Sequence, residues 1–171
     1  TSAKKLIADY GDAIFKLINE AYDPLYGYSP LTQKQIDHYI KMYVPILRLE
    51  NVCLITEESG ELIGVGITLP SMSKALQKSR GRMFPFGWWH VLKALRNFER
   101  IDLMIEGAAP KWQNTGISAV FHGIMADQFK EAGCRWALAN PQIETNTAVN
   151  VWGRYEHEFW LRRRCWIKKI K

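Results

Sequence analysis

The sequence lacks the features that mark membrane-spanning and disulfide-bonded proteins. No apolar run among its 171 residues reaches the length of about 18 that a spanning helix needs, so no membrane partner is expected. Its three cysteines, Cys53, Cys134 and Cys165, lie far apart and form no C-x-x-C pair. Cysteines in this pattern are typical of reduced side chains in a cytoplasmic protein.

Metal and nucleotide motifs are missing as well. No His, Cys or Asp cluster has the spacing of metal ligands, so no metal is expected. The polar turn Gln113–Ser118 contains Gly116 without a following Lys, which excludes a P-loop. No G-x-G-x-x-G occurs either, so a dinucleotide-binding turn is excluded by the same reasoning.

The chain is basic, with a formal net charge of +6 and a pI of about 9.3. Much of the excess lies near the C-terminus, in Arg162–Arg164 and in Lys168, Lys169 and Lys171. A nucleic-acid surface would use such a cluster. Basic residues also protect the exposed edge of a sheet from pairing with other chains. The second interpretation is favoured, and nucleic acid is not an expected partner.

The most informative stretch runs from Arg100 to Phe121. It begins with a largely apolar strand that Pro110 ends, and the turn Gln113–Ser118 follows. After the turn the apolar residues recur with the period of one helix face: Ile117, Val120, Phe121, Ile124, Met125 and Phe129. The unpaired N–H groups of a helix's first turn favour an anion, so a strand, glycine turn and helix in this order suit a phosphate site. The alternative is an ordinary strand-to-helix turn, which the turn residues alone do not exclude.

The remaining pattern predicts an α/β fold with a mixed sheet rather than a doubly wound one. Thr32 and Gln35 form a capping-box pattern at the start of a helix, and Gly133 is placed to end another. The residues from 71 to 99 are helical and basic, with an aromatic interruption at 83–90. The other predicted helices are 4–23 and 144–155, and the predicted strands are 51–56, 61–68, 136–140 and 159–170.

The turn Gln113-Asn114-Thr115-Gly116-Ile117-Ser118 resembles the acyl-CoA loop of the GNAT superfamily of N-acetyltransferases, Gln/Arg-x-x-Gly-x-Gly/Ala, with Ser as the last small residue. The resemblance implies a central, mostly antiparallel mixed sheet flanked by helices. The order of predicted elements agrees, except that the family's opening strand would lie before or at Thr1.

Longer segments resemble the C-terminal half of an uncharacterised bacterial two-domain family with this fold. Residues 1–171 are therefore expected to form a single GNAT-like domain that lacks its first strand, a preceding N-terminal domain, or both. Such a domain or a homodimer partner would cover the open sheet edge. The segments that carry this resemblance are 21–32, 80–88, 144–147, 152–157 and 162–168.

The resemblance implies acetyl-CoA as the cofactor. Backbone groups of the strand before the turn would pair with its pantetheine arm, and the turn would hold its pyrophosphate. The asparagines after the next strand carry amides suited to the arm, although helix capping would explain two of them, Asn146 and Asn150, equally well. The implied cofactor-binding residues are Ile105, Gly107, Ala108, Gln113, Asn114, Thr115, Gly116, Ile117, Ser118, Asn140, Asn146 and Asn150.

Acyl transfer to an amine needs a group that accepts the amine's proton and one that protonates the thiolate. Strand alternation predicts that Asp102 and Glu106 share a face, and the resemblance implies a carboxylate base there. Asp102 would otherwise pair with Arg100. The resemblance implies Tyr155 as the acid, although the sequence after it, Glu-His-Glu-Phe, lacks the family's glycine. His90 and His157 are further acid–base candidates.

Four aromatic residues, Phe84, Phe86, Trp88 and Trp89, are predicted to form one wall of the acceptor pocket. Aromatic faces suit a hydrophobic acceptor or a cationic amine. The alternative is that they anchor the following helix onto the sheet or onto a preceding domain.

The expected activity is direct transfer of an acetyl group from acetyl-CoA to the amine of a small molecule. Two alternatives remain open: a catalytically inactive GNAT-fold domain that binds CoA or acts as a scaffold, and a nucleic-acid module that uses the C-terminal arginines. Fold alone does not distinguish between them.

Overall fold

The computed structural model describes residues 2–169 and folds them into helices on both faces of a four-stranded sheet. The α-helices are α1 (Ala3–Tyr22), α2 (Gln33–Tyr43), α3 (Ser73–Ser79), α4 (Gly87–Ala94) and α5 (Ile117–Glu131). The strands are β1 (Val52–Thr56), β2 (Leu62–Pro70), β3 (Arg100–Ala108) and β4 (Trp136–Ala139). Short 3₁₀ helices cover Leu49–Asn51, Pro110–Trp112 and Thr147–Arg154.

The sheet has the order β1-β2-β3-β4 and is mixed. β1 pairs with β2 and β2 with β3 in antiparallel fashion, whereas β3 and β4 are parallel. This confirms the predicted mixed, mostly antiparallel sheet. β4 pairs with residues Arg100–Leu103 alone, so the rest of β3 continues without a strand beside its outer edge among the described residues.

Helices α1 and α5 cover opposite faces of the sheet because each has one apolar stripe. Ile14, Leu17 and Ile18 of α1 form a buried cluster with Leu62 and Val65 of β2. Phe121 and Met125 of α5 form a second cluster around Cys53 of β1. Val120 and Ile124, which the helical period assigns to the same apolar face, are about half exposed. The buried face of α5 is therefore narrower than the sequence predicts.

A register shift in β3 changes which side chains face which helix. Ile67 of β2 lies opposite Ile105, but the next residue, Thr68, lies opposite Leu103. Met104 is the additional residue, as in a β-bulge, and an extra residue reverses the alternation of side chains beyond it. The predicted shared face of Asp102 and Glu106 is therefore wrong.

The local signals that end and begin helices are confirmed. Thr32 and Gln35 form the capping box at the start of α2, where Gln35 Oε1 accepts from the Thr32 backbone N–H at 2.9 Å and from its hydroxyl at 2.8 Å. Gly133 follows the end of α5 with a φ of 76°, which a residue without a side chain adopts at little cost. The predicted basic helical region is divided into α3 and α4, as expected from the aromatic interruption.

Two C-terminal elements differ from the prediction. The expected helix 144–155 is reduced to the 3₁₀ helix Thr147–Arg154, in which Val149 and Val151 are β-branched and disfavour an α-helix. The expected strand 159–170 is not formed between Phe159 and Lys169, and Ile170 lies outside the described residues. Phe159 and Trp160 are exposed there, and no strand within residues 2–169 lies beside them to supply the hydrogen bonds that a strand requires.

Gly66 provides a test of the contact between β2 and α5. A Cβ atom at Gly66 would lie 1.4 Å from Phe121 Cε2, so the ring occupies the place of the missing side chain. Gly66→Ala is expected to lower the free energy of unfolding by about 1–3 kcal/mol because Phe121 must move. Chemical denaturation measures the change.

Gly123→Ala is the matched control, since Gly123 lies in α5 and a Cβ there meets nothing within 4 Å. This second substitution is expected to raise the free energy of unfolding by about 0.5–1 kcal/mol through helix propensity. Equal effects of the two substitutions would contradict the proposed packing.

Candidate active site

Beyond the bulge at Met104, backbone carbonyls on the outer edge of β3 are hydrogen-bonded to side chains rather than to another strand. Each of three carbonyl oxygens there accepts one hydrogen bond from a side chain. The donors are Asn140 Nδ2 to Met104 O at 3.0 Å, Tyr22 Oη to Glu106 O at 2.9 Å, and Gln113 Nε2 to Ala108 O at 3.3 Å. This edge is where the fold leaves room for an extended ligand to pair with backbone groups.

The backbone of Ile105 and Gly107 is directed toward β2 instead. The N–H of Ala109 donates to Ile63 O, and backbone groups of successive strand residues point to alternate edges. The backbone N–H and C=O groups of Ile105 and Gly107 therefore point toward β2, as those of Ala109 do. The corresponding groups of Glu106 and Ala108 point toward the outer edge. The side chain of Ile105 packs on the α1 cluster, and a Cβ at Gly107 would meet Leu17.

Tyr22 is a buried donor on this edge. Its hydroxyl reaches Glu106 O from the last residue of α1, and its ring meets Tyr28 edge-on at 5.8 Å. Burial raises the pKa of Tyr22 above its ordinary value, although the hydrogen bond to Glu106 acts in the opposite direction. The hydroxyl consequently stays protonated and donates to the carbonyl.

The turn before α5 has the conformation that the glycine allows. Gly116 has a φ of 98° and Asn114 a φ of 63°, and Thr115 Oγ1 donates to Trp112 O at 2.7 Å. A Cβ at Gly116 would meet nothing within 4 Å, so the approach to the helix is open. The first turn of α5 contains no acidic residue. Its free N–H groups and partial positive charge therefore suit a phosphate group.

Glu106, His122 and Tyr155 form one hydrogen-bonded chain. His122 Nε2 lies 3.0 Å from Glu106 Oε2, and His122 Nδ1 lies 3.0 Å from Tyr155 Oη. An ionised carboxylate only accepts, so we assign the ring hydrogen to Nε2, which leaves Nδ1 to accept from the tyrosine hydroxyl. The order carboxylate, imidazole and hydroxyl is the arrangement by which a base is oriented and a hydroxyl activated.

Aromatic rings hold the imidazole in place. The His122 ring stacks on Trp152 at 5.5 Å and meets Tyr155 edge-on at 5.3 Å. Trp152 is itself fixed because its Nε1 donates to Gln142 Oε1 at 2.9 Å. The side chain of His122 is 12% exposed, so most of the ring is shielded from water.

The structure thus brings together two of the predicted catalytic residues, Glu106 and Tyr155, through a histidine that the sequence analysis does not single out. Two facts from the sequence bear on it: His122 follows the buried Phe121 on α5, and α5 begins at the predicted phosphate turn. The sequence does not indicate the bulge at Met104, and it is the bulge that directs the Glu106 side chain toward α5 and so toward His122.

Asp102 is not part of this group. Glu106 lies opposite Gly66, whose face meets Phe121 of α5, whereas Asp102 lies opposite Leu69, three residues further along β2. Residues three apart on a strand face opposite sides. Asp102 Oδ1 is buried without a hydrogen-bond partner among the described residues. Burial raises the pKa of Asp102, more than the Ser71 hydroxyl and the Arg100 guanidinium lower it.

The remaining predicted site residues lie elsewhere. Asn146 Oδ1 accepts from Ala148 N at 3.0 Å and so caps the last 3₁₀ helix, and Asn150 is exposed. His157 Nδ1 contacts Tyr155 O at 2.9 Å, and His90 lies on α4. Two predicted groups lie at opposite ends of β3. The aromatic group precedes the first residue of the strand and the turn follows its last residue; these groups are Phe84, Phe86, Trp88 and Trp89, and Gln113–Ser118.

Two broader findings concern the whole described chain. None of the helices between residues 2 and 169 is long and apolar enough to cross a membrane. Within the same residues, no group of three or more His, Cys, Asp or Glu side chains is arranged to hold a metal ion.

Comparison with known sequences finds one distant relative and no matching family model. The bacterial ceramide synthase of Caulobacter vibrioides is 25% identical over 153 residues, which cover 82% of this chain. The chain spans 39% of the length of that relative.

Comparison with solved structures shows the fold. An aminoglycoside acetyltransferase from an uncultured soil sample superposes with a TM-score of 0.56 at 10% identity, covering 100% of this chain and 93% of that one. The ribosomal-protein-alanine N-acetyltransferase of Brucella melitensis superposes with a TM-score of 0.55 at 11% identity, covering 93% and 94%. The chain therefore has the fold of the GNAT acetyltransferases.

The buried carboxyl of Asp102 leads to a prediction about stability. Because burial raises its pKa in the folded state, the ionised form opposes folding at pH values above that raised pKa. Asp102→Asn is expected to raise the melting temperature at pH 8, and the difference from the native chain should shrink as the pH falls toward 4 and the carboxyl becomes neutral. Thermal denaturation at several pH values measures it.

A melting temperature of Asp102→Asn below that of the native chain at pH 8 would show that the ionised carboxylate is stabilising. Asp37→Asn is the control. Asp37 is exposed on α2 and accepts from Gln33 at 2.9 Å, so its substitution should give a small change without the same pH trend.

Proposed function

We propose that this chain is an acyl-CoA-dependent N-acyltransferase that transfers an acetyl group directly to the amine of a small molecule. The observation that carries the proposal is the Glu106–His122–Tyr155 chain, which stands beside the outer edge of β3. The edge, the open glycine turn and the acid–base group are adjacent because β3 leads into the turn and α5 follows it.

Donor binding is assigned to the turn and the strand edge. Gln113–Ser118, with the open approach at Gly116, would hold the diphosphate of CoA. The carbonyls of Glu106 and Ala108 would pair with the amide groups of its pantetheine arm after Tyr22 and Gln113 release them. Asn140, which bonds Met104 O, is placed to contact the same arm. The bound cofactor supplies a thioester, whose carbonyl carbon is the acyl donor.

The acid–base group handles the single proton that the reaction moves. Tyr155 Oη would accept the proton that the attacking amine loses, while its own phenolic proton passes to His122 Nδ1. Glu106, bonded to Nε2, stabilises the imidazolium that results. Tyr155 would then give a proton to the thiolate that leaves and recover one from His122. The products are an amide and a free thiol, and the group returns to its starting state.

The expected acceptor is an amine with an apolar part. The relative from Caulobacter vibrioides is named a ceramide synthase, and a ceramide is the amide of a long-chain amino alcohol. This chain also exposes the aromatic residues Phe84, Phe86, Trp88 and Trp89 before β3, at the end of the strand away from the turn. Aromatic faces bind both hydrocarbon and cationic amines. Their role as acceptor wall stays a prediction, and so does catalysis by Asp102.

His122→Gln tests the acid–base group. Glutamine keeps hydrogen-bonding atoms near Glu106 and Tyr155 but does not accept and return a proton. We expect kcat to fall by roughly 10²–10⁴-fold with little change in the affinity for acetyl-CoA. The measurement is release of CoA thiol from acetyl-CoA with a panel of amines that runs from short polar amines to long-chain amino alcohols, repeated with a long-chain acyl-CoA.

His38→Gln is the matched control, because His38 is exposed on α2 and should leave kcat unchanged. An equal kcat in native protein and His122→Gln would remove the group from the mechanism. If acetyl-CoA binds the native chain but no amine is acylated, the chain is the CoA-binding scaffold that the sequence analysis left open.

Gly116→Val tests the donor site separately. A branched side chain at a φ of 98° is strained, and it fills the open approach to the first turn of α5. We expect the substitution to abolish the rise in melting temperature that acetyl-CoA causes in the native chain. Gly27→Val is the control at another positive φ with open space, and it should keep that rise. No rise in the native chain at millimolar acetyl-CoA would contradict the cofactor assignment.

A further inference from the structure

The segment between β2 and β3 is one of two strongly basic segments in the chain, the other being the C-terminal residues 162–171. Residues 71–98 contain no Asp or Glu and six exposed cations: Lys74, Lys78, Arg80, Arg82, Lys93 and Arg96. Without these six, the 23 Lys and Arg of the chain become 17, which equals its 17 Asp and Glu. The six cations of the α3–α4 hairpin (residues 73–94) and of the residues that adjoin it thus equal the formal net charge of +6.

The same hairpin exposes large apolar side chains at its turn. Phe84 is 85% exposed and Phe86 72%, and Met83 between the two helices is half exposed. Trp88 and Trp89 at the start of α4 are also exposed. Monomeric soluble proteins rarely expose so many adjacent apolar side chains without a binding partner for them.

The turn is held in a defined shape, so these rings are directed outward by the backbone. A Cβ at Gly87 would lie 1.8 Å from Arg82 O, which shows that the backbone passes close to itself there. Arg80 and Gly81 end α3 in left-handed conformations, and Gly81 N donates to Leu76 O at 3.0 Å. Trp88 closes the turn from the other side, since its Nε1 donates to Pro85 O at 2.8 Å.

One face of α4 continues the combination of apolar and cationic groups. Trp89, Leu92, Lys93 and Arg96 line a groove of about 290 Å³. Trp89, Leu92 and Lys93 lie at i, i+3 and i+4 on one side of α4, and Arg96 follows two residues after the helix ends. Apolar side chains with Lys and Arg beside them are the composition of helices that lie in a membrane interface, where the cations meet lipid phosphates.

We propose that the α3–α4 hairpin binds the surface of an anionic lipid membrane. Phe84, Phe86 and Met83 would enter the boundary between headgroups and acyl chains, and the six cations would contact the lipid phosphates. Apolar residues exposed at the turn, with cations in the turn and in both flanking helices, fit the headgroup and acyl-chain layers of a membrane better than a nucleic acid, whose phosphates are its outermost groups. The absence of a spanning helix predicted no membrane partner, but attachment to a surface needs no such helix.

The inference does not depend on the proposed enzymatic function, so its test measures binding and not turnover. The chain of residues 1–171 is sedimented with vesicles of phosphatidylcholine alone and with vesicles that also contain phosphatidylglycerol. We expect binding to the anionic vesicles at about 0.1 M salt and its loss near 1 M, where charges are screened beyond a few ångströms. A blue shift of tryptophan fluorescence on binding would report the entry of Trp88 or Trp89.

Two pairs of variants separate the apolar and the charged contributions. Phe84→Ala with Phe86→Ala should weaken binding by about tenfold or more, while Tyr26→Ala, which removes a ring 79% exposed after α1, should not. Lys93→Glu with Arg96→Glu should abolish binding to anionic vesicles. Lys34→Glu with Lys41→Glu makes the same change in net charge on α2, and this variant should retain most of the binding to anionic vesicles.

Three results would overturn the proposal. The first is no sedimentation of the native chain with anionic vesicles at low salt. The second is equal binding by the native chain and the Phe84→Ala, Phe86→Ala variant, which would reduce the interaction to a general attraction of charges. The third is tighter binding to single-stranded RNA than to vesicles, with loss in the same variants, which would assign the surface to nucleic acid instead.

Discussion

The site depends on one additional residue in β3. Met104 lies between Leu103, the last residue that pairs with β4, and Ile105, which resumes pairing with β2. The sheet therefore opens at the point where the alternation of side chains is reversed. Without the reversed alternation, the Glu106 side chain would face α1 rather than α5. If β4 continued beside β3, the Glu106 carbonyl would be hydrogen-bonded to that strand. A single irregularity thus creates both the free edge and the carboxylate beside it.

Helix α5 links the two halves of the candidate site. Its first residues provide the anion-binding turn, and His122 lies on its second turn. Phe121, packed where Gly66 has no side chain, fixes the height of the helix above the sheet. The distance between the proposed diphosphate site and the proton-transfer group is consequently set by a rigid element and by one close contact, and not by loops.

The sequence predicts those parts of the structure that depend on local chemistry. The capping box at Thr32, the glycine after α5 and the strand–turn–helix around Gly116 are all confirmed, because each is determined by a few adjacent residues. The bulge at Met104 is not encoded by a turn residue or by proline, so strict alternation places Asp102 and Glu106 together.

His122 is missed for the same reason, since its partners are 16 and 33 residues away along the chain. The C-terminal region is mispredicted for a different reason. Residues 159–169 have the composition of a strand, but a strand forms only where another strand accepts its hydrogen bonds.

The side chains on the outer edge of β3 have a consequence for the protein's behaviour at high concentration. An unpaired strand edge offers its carbonyls and N–H groups to any other chain, and such edges promote aggregation. Here three carbonyls in succession are already bonded to Asn140, Tyr22 and Gln113. A second protein chain must therefore displace all three in register before it can add a strand, whereas a flexible ligand can displace them one at a time. The outer edge of β3 therefore resists the addition of a strand from a second protein chain, which would lead to polymerisation. It still allows a flexible ligand to bind, because the ligand exchanges one hydrogen bond at a time.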